Sequence, residues 1–157
     1  MNSIISFLQY IGKLKSVTRA GWKNYHIKDA ESVADHSFRT AVLAMVLGGK
    51  LGANAAKLIK MALVHDIGES ITGDIIQERG RKEMIPQANK IEKEKKAVER
   101  IVRGMKGGKE VFGLWFEYAN GKTKEARLLK QLDKIEMVLQ ALEYEKRGTS
   151  KRPDEFW

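Results

Sequence analysis

Apolar residues recur three and four positions apart along most of this chain, a spacing that places them on one face of an α-helix. The segments with this spacing are 4–11, from Ser32 to Gly48-Gly49, 55–64 behind an N-capping Asn54, 87–105 and about 123–145. A short aromatic segment, 111–118, lies between the last two. No run shows the sustained alternation of apolar and polar residues that a half-buried strand requires. The pattern therefore predicts an all-α fold.

The composition is that of a globular protein, with 43% apolar and 31% charged residues among 157, and predicts a single domain over 1–157. Cys is absent, which excludes disulfides, Cys-ligated zinc, iron–sulfur clusters and thiol nucleophiles. A transition metal would have to be held by carboxylates and by some of the 3 His residues. No segment reaches the roughly 18 uninterrupted apolar residues of a membrane span, and Met1-Asn2-Ser3 does not resemble the start of a signal peptide. We expect a cytoplasmic protein that does not enter a membrane.

The formal net charge of +9 suggests an anionic partner, either nucleic acid or a smaller substrate. Residues 79–109 carry a net charge of +7, but their signs alternate, which is typical of a solvated helix face with ion pairs four residues apart. Residues 13–28 add +5 without any acidic residue, and Trp22, Tyr25 and His26 are interspersed among the basic ones. This second stretch is the better candidate for a surface that faces an anion.

Four residues on three predicted helices are candidate metal ligands: His36, the adjacent pair His65-Asp66, and Asp133. The pair ends an otherwise apolar helix, where an imidazole and a carboxylate are costly unless paired or bound to a metal. Asp133 has Leu129 four residues before it and Met137 four residues after it, so it is expected to face inward. Two imidazoles and two carboxylates suit Mn, Fe, Co, Ni or Zn better than Ca or Mg. The alternative is a core His65 bonded to a backbone carbonyl, with Asp66 capping the next turn.

Two further carboxylates follow this pair. Glu69 lies four residues after His65, so on a continuing helix both side chains would point the same way. Glu69 could then act on a catalytic water as a general acid or base; by itself it could equally be a surface carboxylate. Residues 71–74 are expected to form a loop, in which Asp74 could contact a sugar hydroxyl or simply belong to a turn.

The chain resembles the HD-domain metal-dependent phosphohydrolases, whose signature is a His, then a His-Asp pair, then a distant Asp. Within them it is most similar to the 5′-deoxynucleotidase branch, including its archaeal oxetanocin-like members. The matching segments are Arg19-Ala20-Gly21-Trp22, Glu31-Ser32-Val33-Ala34-Asp35-His36-Ser37, His65-Asp66-Ile67-Gly68-Glu69, Thr72-Gly73-Asp74, Leu114-Trp115-Phe116-Glu117-Tyr118 and Lys130-Gln131-Leu132-Asp133-Lys134-Ile135-Glu136-Met137. They span essentially the whole chain in the family's order.

The resemblance implies a helical bundle around a single divalent metal, with the ligands His36, His65, Asp66 and Asp133. It also implies that Glu69 acts on the hydrolytic water. Asp74 would contact the sugar 3′-hydroxyl and Arg19 the phosphate. Trp22 would lie against the nucleoside, near the 2′ position, where an aromatic residue disfavours ribose. In some bacterial members the Arg and Trp are adjacent, whereas two residues separate them here, as in the archaeal and eukaryotic branch.

The leading hypothesis is hydrolysis of deoxyribonucleoside 5′-monophosphates to the nucleoside and phosphate. A triphosphate, a cyclic nucleotide or a phosphodiester is the alternative substrate. A nucleic-acid-binding module is the distant alternative, since the chain has no Gly-rich loop, helix-turn-helix spacing or aromatic strand of the kind such modules use. We also expect a homodimer or a larger homo-oligomer. Phe112, Leu114, Trp115, Phe116 and Tyr118 are the candidate interface, although core packing would explain these residues equally well.

Overall fold

The computed structural model of the protein describes residues 3–75 and 87–148. Its helices are α1 (Ser3–Lys13), α2 (Ala20–Asn24), α3 (Val33–Leu47), α4 (Ala55–Val64), α5 (Glu69–Thr72), α6 (Gln87–Ile101), α7 (Gly108–Asn120) and α8 (Lys124–Lys146), with a 3₁₀ turn at Leu14–Ser16 after α1. Across the described ranges, strand-like pairing is limited to an isolated antiparallel bridge between Thr18 and Ser32. The all-α prediction is confirmed.

The predicted helices are all present, and the structure changes the prediction for the following segments. The aromatic segment 111–118 is part of a full helix, α7. Helix α6 ends at Ile101 rather than near Gly104. The predicted loop over 71–74 begins only at Gly73, because Ile71 and Thr72 belong to the short helix α5. Met1, Asn2 and residues 79–86 of the predicted basic block lie outside the described residues.

Side-chain caps explain why α3, α4 and α8, the helices that position the predicted metal ligands, begin where they do. Ser32 and Asp35 form a reciprocal capping box at the start of α3. The predicted N-cap Asn54 accepts a hydrogen bond from the backbone of Lys57, and Thr123 caps α8 in the same way. Such caps satisfy backbone N–H groups that have no partner within the helix. Between α7 and α8, Gly121 adopts a left-handed conformation with φ of 64°, which glycine adopts without a steric penalty.

The main apolar core lies between α3, α4 and α8. It consists of Ala41, Ala44, Leu58, Met61, Ala62, Ala126, Leu129 and Leu132. Half of these residues are alanines, and small side chains at a helix contact allow the backbones to approach closely. Helices α3 and α8 carry His36 and Asp133, and α4 ends directly before His65, so this packing fixes the distances between the predicted metal ligands.

Large apolar residues do not mark the inward face of α3, and they mark that of α8 only in part, since Leu129 and Leu132 are buried while others are exposed. Phe38 and Met45 on α3 are 68% and 58% exposed, and Ile135 on α8 is 44% exposed. The buried positions of α3 are instead small or polar: Val33, His36, Ser37, Thr40, Ala41 and Ala44. The aromatic stretch of α7 is divided between core and surface, since Trp115 is 1% exposed and Phe116 is 43% exposed. None of the described helices has both the length and the hydropathy needed to cross a membrane.

Candidate metal centre

The four sequence-predicted metal ligands lie together in the structure. His36 occupies the first turns of α3, His65 directly follows α4, and Asp133 lies midway along α8. His36 Nε2 is 3.1 Å from Asp133 Oδ1 and 3.8 Å from Asp66 Oδ2. His65 Nε2 is 3.1 Å from the same Asp66 oxygen. His36, His65 and Asp66 each offer a ligand atom within 4.8 Å of the others, a group that could hold a metal ion.

The two imidazoles present the same nitrogen to this cluster. The Nδ1 of His65 donates to the Ala62 carbonyl at 2.7 Å, and the Nδ1 of His36 bonds to Glu136. Both Nε2 atoms are buried, and neither makes a hydrogen bond to any described residue, although each lies close to a carboxylate oxygen. A buried polar atom without a partner is costly. Two such nitrogens facing two carboxylates fit a divalent transition metal with mixed nitrogen and oxygen ligands.

The electrostatics of the cluster favour a positive charge at the same place. Burial opposes protonation of His36, but the carboxylates of Asp133 and Glu136 outweigh it and raise the pKa of His36 to about 9. The pKa of His65 is also raised, because Asp66 overcomes the effect of burial. The pKa of Asp66 and that of Asp133 are lowered by the neighbouring imidazoles in spite of burial. A divalent cation would take the place of the protons that these groups attract.

Glu69, the first residue of α5, lies beside the cluster and is 2% exposed. Its Oε2 has no hydrogen-bond partner among the described residues. Burial raises its pKa to about 11, helped by the charges of Asp66 and Asp74 and opposed by Arg19 and Lys90. Without a further positive charge nearby, Glu69 is therefore a neutral carboxylic acid at neutral pH. A group in this position can exchange a proton with a water molecule in the cluster.

Arg19 and Asp74 border the same cluster. Arg19 Nη1 is 3.5 Å from Asp66 Oδ2 and 3.8 Å from Asp74 Oδ2. The backbone N–H of Arg19 donates to the Glu31 carbonyl, and Asp74 Oδ2 accepts a hydrogen bond from the Ala20 N–H at 2.7 Å. The first bond ties the residue before α2 to the segment before α3, and the second ties the start of α2 to the loop after α5. From the basic stretch 13–28, Arg19 thus reaches the site, while Lys13, Lys15 and Lys28 are exposed.

Trp22 is placed differently from the other predicted site residues. Its side chain is 2% exposed and packs with Ile27, Ala141 and Tyr144. Its ring meets that of Tyr144 edge to face at 5.1 Å, and its Nε1 donates to Glu31 Oε1 at 2.9 Å. The indole is therefore a fixed part of the protein interior. Its contact with a nucleoside stays a prediction.

Three residues without a predicted role also border the site. Glu136 bonds to His36, and the Tyr118 hydroxyl donates to Asp133 Oδ2 at 3.0 Å. Lys90 Nζ donates to the Ile75 carbonyl at 3.0 Å and lies 3.5 Å from Glu94 Oε1. Helix α6 was predicted to present a solvated face, but the side chain of Lys90 is mostly buried. Lys96 and Glu92 on the same helix do agree with the prediction, since they form a largely exposed ion pair at 3.6 Å. Glu136 and Tyr118 do lie within the family-like segments, three residues after Asp133 and at the end of the aromatic stretch.

Residues 11–156 match the HD domain family. The chain belongs to the HD-domain family. Curated relatives of this HD-domain protein include 5′-deoxynucleotidase HDDC2 from Dictyostelium discoideum, which is 43% identical over 93% of this chain and 80% of its own. The protein of the same name from Homo sapiens is 40% identical over 91% of this chain and 69% of its own. The resemblance predicted from the motifs is confirmed.

Solved structures agree with the fold of this HD-domain protein. The PH0347 protein from Pyrococcus horikoshii OT3 matches with a TM-score of 0.81 and 34% identity, over 98% of this chain and 85% of that one. A protein from Magnetospirillum magnetotacticum MS-1, described as a predicted metal-dependent phosphohydrolase, matches with a TM-score of 0.73 and 27% identity. That match covers 95% of this chain and 73% of the other.

Proposed function

We propose that this HD-domain protein is a metal-dependent phosphomonoesterase that hydrolyses deoxyribonucleoside 5′-monophosphates to the deoxynucleoside and phosphate. The observation that carries the proposal is the convergence of two buried imidazole Nε2 atoms, from His36 and His65, on the carboxylates of Asp66 and Asp133. The relatives named 5′-deoxynucleotidase support the choice of substrate.

We assign the metal to His36, His65, Asp66 and Asp133, as one divalent ion of Mn, Co, Fe, Ni or Zn. Bound there, such an ion would lower the pKa of a bound water to about 7 and polarise a phosphoryl oxygen. The hydrogen bonds on both Nδ1 atoms support this assignment, since they leave each Nε2 lone pair for the metal.

Arg19 is assigned to the substrate phosphate. Its guanidinium lies within 3.5 Å of Asp66, one of the proposed ligands, and its planar fork matches phosphate oxygens. The two neighbouring carboxylates hold the side chain in place, so that little conformational entropy would be lost when the phosphate binds.

Glu69 is assigned to the proton of the attacking water. As the water oxygen bonds to phosphorus and the P–O5′ bond breaks, Glu69 takes one proton of the water and the other stays on the phosphate. Glu69 then gives up the proton it took, and the leaving O5′ receives it to become the nucleoside hydroxyl. The burial of Glu69 supports this role, because a cation beside it would counteract the raised pKa and bring the group into the range of a general base.

Asp74 and Trp22 are assigned to the nucleoside. Asp74 uses Oδ2 to hold the Ala20 N–H, which leaves Oδ1 to accept a hydrogen bond from the sugar 3′-hydroxyl. Trp22 is proposed to limit the space near the 2′ position. Since its ring is buried against Tyr144 and bonded to Glu31, it would act as a fixed wall.

The deciding experiment measures phosphate release from a panel of deoxyribonucleoside 5′-monophosphates and the matching ribonucleotides, with Mn²⁺, Co²⁺ or EDTA added. We expect metal-dependent release that is faster from the deoxy series. Equal rates on both series would refute the sugar preference and leave the chemistry intact. Chromatography of the products from triphosphate, cyclic and diester substrates tests the alternative substrates, since pyrophosphate or a monophosphate product would identify them.

The ligand assignment is tested separately by Asp133→Ala and His65→Ala. Both variants should lose activity and bound metal together. Glu145→Ala is the matched control on α8, because Glu145 is exposed near the end of that helix and should leave both unchanged. Full activity in either ligand variant would refute the assignment.

We also propose that the protein acts in the cytoplasm, where nucleoside monophosphates are metabolised, and as a homodimer or larger homo-oligomer. Support for self-association comes from the large apolar side chains left exposed on two helices, among them Phe38 and Met45 of α3 and Ile135 of α8. Sedimentation analysis of the purified protein tests the oligomeric state, and a purely monomeric protein at micromolar concentration would contradict it.

A further inference from the structure

Glu136 has a fully buried carboxylate, one turn of α8 beyond Asp133. One oxygen, Oε2, bonds to Nδ1 of His36. The other, Oε1, accepts from Arg39 Nε at 2.8 Å and lies 2.7 Å from Arg39 Nη2. Burying an ionised carboxylate is costly unless it is paired and hydrogen-bonded, and here both oxygens are engaged.

The bond to His36 determines which nitrogen of that ring can bind a cation. With its Nδ1–H directed at Glu136, the ring keeps its Nε2 lone pair directed toward Asp66 and Asp133. His65 is held by a neutral backbone carbonyl, whereas His36 is held by a carboxylate. A carboxylate partner makes an imidazole a more basic ligand than a carbonyl partner does.

We infer that Glu136 is a positioning residue for the metal centre: it fixes the tautomer and the orientation of His36, and Arg39 holds Glu136 in place. The inference rests on the proposed function only in taking His36 as a metal ligand. The three hydrogen-bonded residues Arg39, Glu136 and His36 link α3 to α8 beside the metal centre.

Glu31, His36 and Glu136 also approach within 4.8 Å of one another and could be considered a second metal group. The hydrogen bonds favour the positioning role instead. His36 Nδ1 and both oxygens of Glu136 are already bonded within the chain of three residues, and Glu31 Oε1 accepts from Trp22. A metal in this group would have to displace these bonds.

Glu143 provides a matched control. It lies on the same helix and accepts a hydrogen bond from Arg39 Nη1 at 2.8 Å, but its bonded partner is Arg39 rather than His36. If Glu136 served only to attach α3 to α8 through Arg39, then Glu136→Gln and Glu143→Gln would change metal affinity to a similar extent.

The test measures the binding of Co²⁺ to the protein in the absence of any nucleotide. Metal-free protein is titrated with Co²⁺ in competition with a coloured chelator, the visible absorption of bound Co²⁺ is recorded, and thermal unfolding of the metal-free form is followed in parallel. We expect Glu136→Gln to weaken Co²⁺ binding by about 10- to 100-fold, as loss of such a partner typically does, and to alter the absorption spectrum. Glu143→Gln should leave affinity and spectrum unchanged, whatever its effect on the melting temperature.

Unchanged Co²⁺ affinity and spectrum in a folded Glu136→Gln protein would overturn the inference, as would an equal loss of affinity in Glu143→Gln. Should Glu136→Gln fail to fold, Arg39→Gln replaces it, because the Arg39 side chain is partly exposed. That variant should weaken Co²⁺ binding in the same direction by a smaller factor, and unchanged binding would again overturn the inference. Since no nucleotide is used, the result does not depend on whether the protein hydrolyses deoxynucleotides.

Discussion

The hydroxyl of Tyr118 donates a hydrogen bond to Asp133 Oδ2 at 3.0 Å, while the other oxygen of Asp133 lies 3.1 Å from His36 Nε2. The Tyr118 ring also meets the His65 ring edge to face, at 5.1 Å between centroids. Burial, and then the charges of Asp133 and Asp66, raise the pKa of Tyr118 well above its usual value. The phenol therefore stays protonated and remains a donor that orients Asp133.

Tyr118→Phe removes this donor and keeps the ring contact with His65. Because a hydrogen bond to a charged group contributes about 1.5–3 kcal/mol, we expect kcat/KM for a deoxynucleotide to fall by roughly 10- to 100-fold. Tyr10→Phe is the control, since Tyr10 lies on α1 beside Lys13 and should leave kcat/KM unchanged. An unchanged kcat/KM in Tyr118→Phe would show that Asp133 needs no such donor.

Removal of the metal should destabilise the protein as well as inactivate it. Binding to the folded state alone stabilises it by about 2.7 kcal/mol when free metal is 100 times its Kd. In a domain of this size, that corresponds to a rise of roughly 5–10 °C in melting temperature. Thermal unfolding of EDTA-treated protein, before and after Mn²⁺ or Co²⁺ is added, measures this shift.

Asp133→Ala serves as the reference for that shift, because it lacks one of the proposed ligands. Its melting temperature should respond little to added metal. A shift equal to that of the unaltered protein would place the stabilising ion elsewhere in the molecule.

Helix boundaries could be predicted because they depend on local residues. Ser32, Asn54 and Thr123 begin helices by bonding to backbone groups three residues further on, and such signals can be recognised in a short stretch of sequence. The inward face of α3 could not be predicted in the same way. That face is made of small and polar residues such as Thr40 and Ala44, whereas hydrophobic periodicity is dominated by the large side chains that lie outside.

The proposed ligands were recognisable for a related reason. An imidazole or a carboxylate within an apolar helix needs a partner, and His65, Asp66 and Asp133 all have such neighbours. Glu136 gives a weaker signal, since its neighbours four residues away are one apolar residue, Leu132, and one polar residue, Gln140. Its role depends on His36 and Arg39, which lie 100 and 97 residues away along the chain. Pairings over such distances become visible only in the fold.

Arg19→Gln should impair substrate binding without loss of metal. The substitution removes charge-assisted hydrogen bonds to the proposed phosphate, so kcat/KM should fall by roughly 10- to 100-fold, with much of the change in KM. It also removes a positive charge 3.5 Å from Asp66, and metal affinity should therefore stay the same or increase.

Arg127→Gln is the matched control for that variant, because Arg127 is exposed and its side chain donates to the Lys122 carbonyl, outside the metal centre. Its kinetics should match those of the unaltered protein. Loss of metal from Arg19→Gln would contradict the phosphate assignment, since the defect would then lie in the metal centre.

Glu117 lies away from the site and connects its own helix, α7, to α4 and α8. Its contribution to the free energy of unfolding should depend on pH. Its Oε1 lies 2.7 Å from Lys57 Nζ of α4 and accepts a hydrogen bond at 2.5 Å from Thr123, which caps α8. Partial burial opposes ionisation, but the bonds from Lys57 and Thr123 outweigh it, so the pKa of Glu117 is lowered from 4.5. Stability gained in this way is complete above the unfolded pKa and is lost as the pH falls through the lowered folded pKa.

We expect Glu117→Gln to reduce the free energy of unfolding at neutral pH by about 0.5–1 kcal/mol, the usual range for a partly exposed pair. The difference from the unaltered protein should shrink as the pH falls below 4.5 and vanish once the carboxyl is protonated in both states. Denaturant titrations of metal-free protein across this range measure it. Glu110→Gln, which removes an exposed pair with Lys60 at 2.8 Å, should show a smaller effect. A difference for Glu117→Gln that is independent of pH would mean that the side chain acts by packing and not by charge.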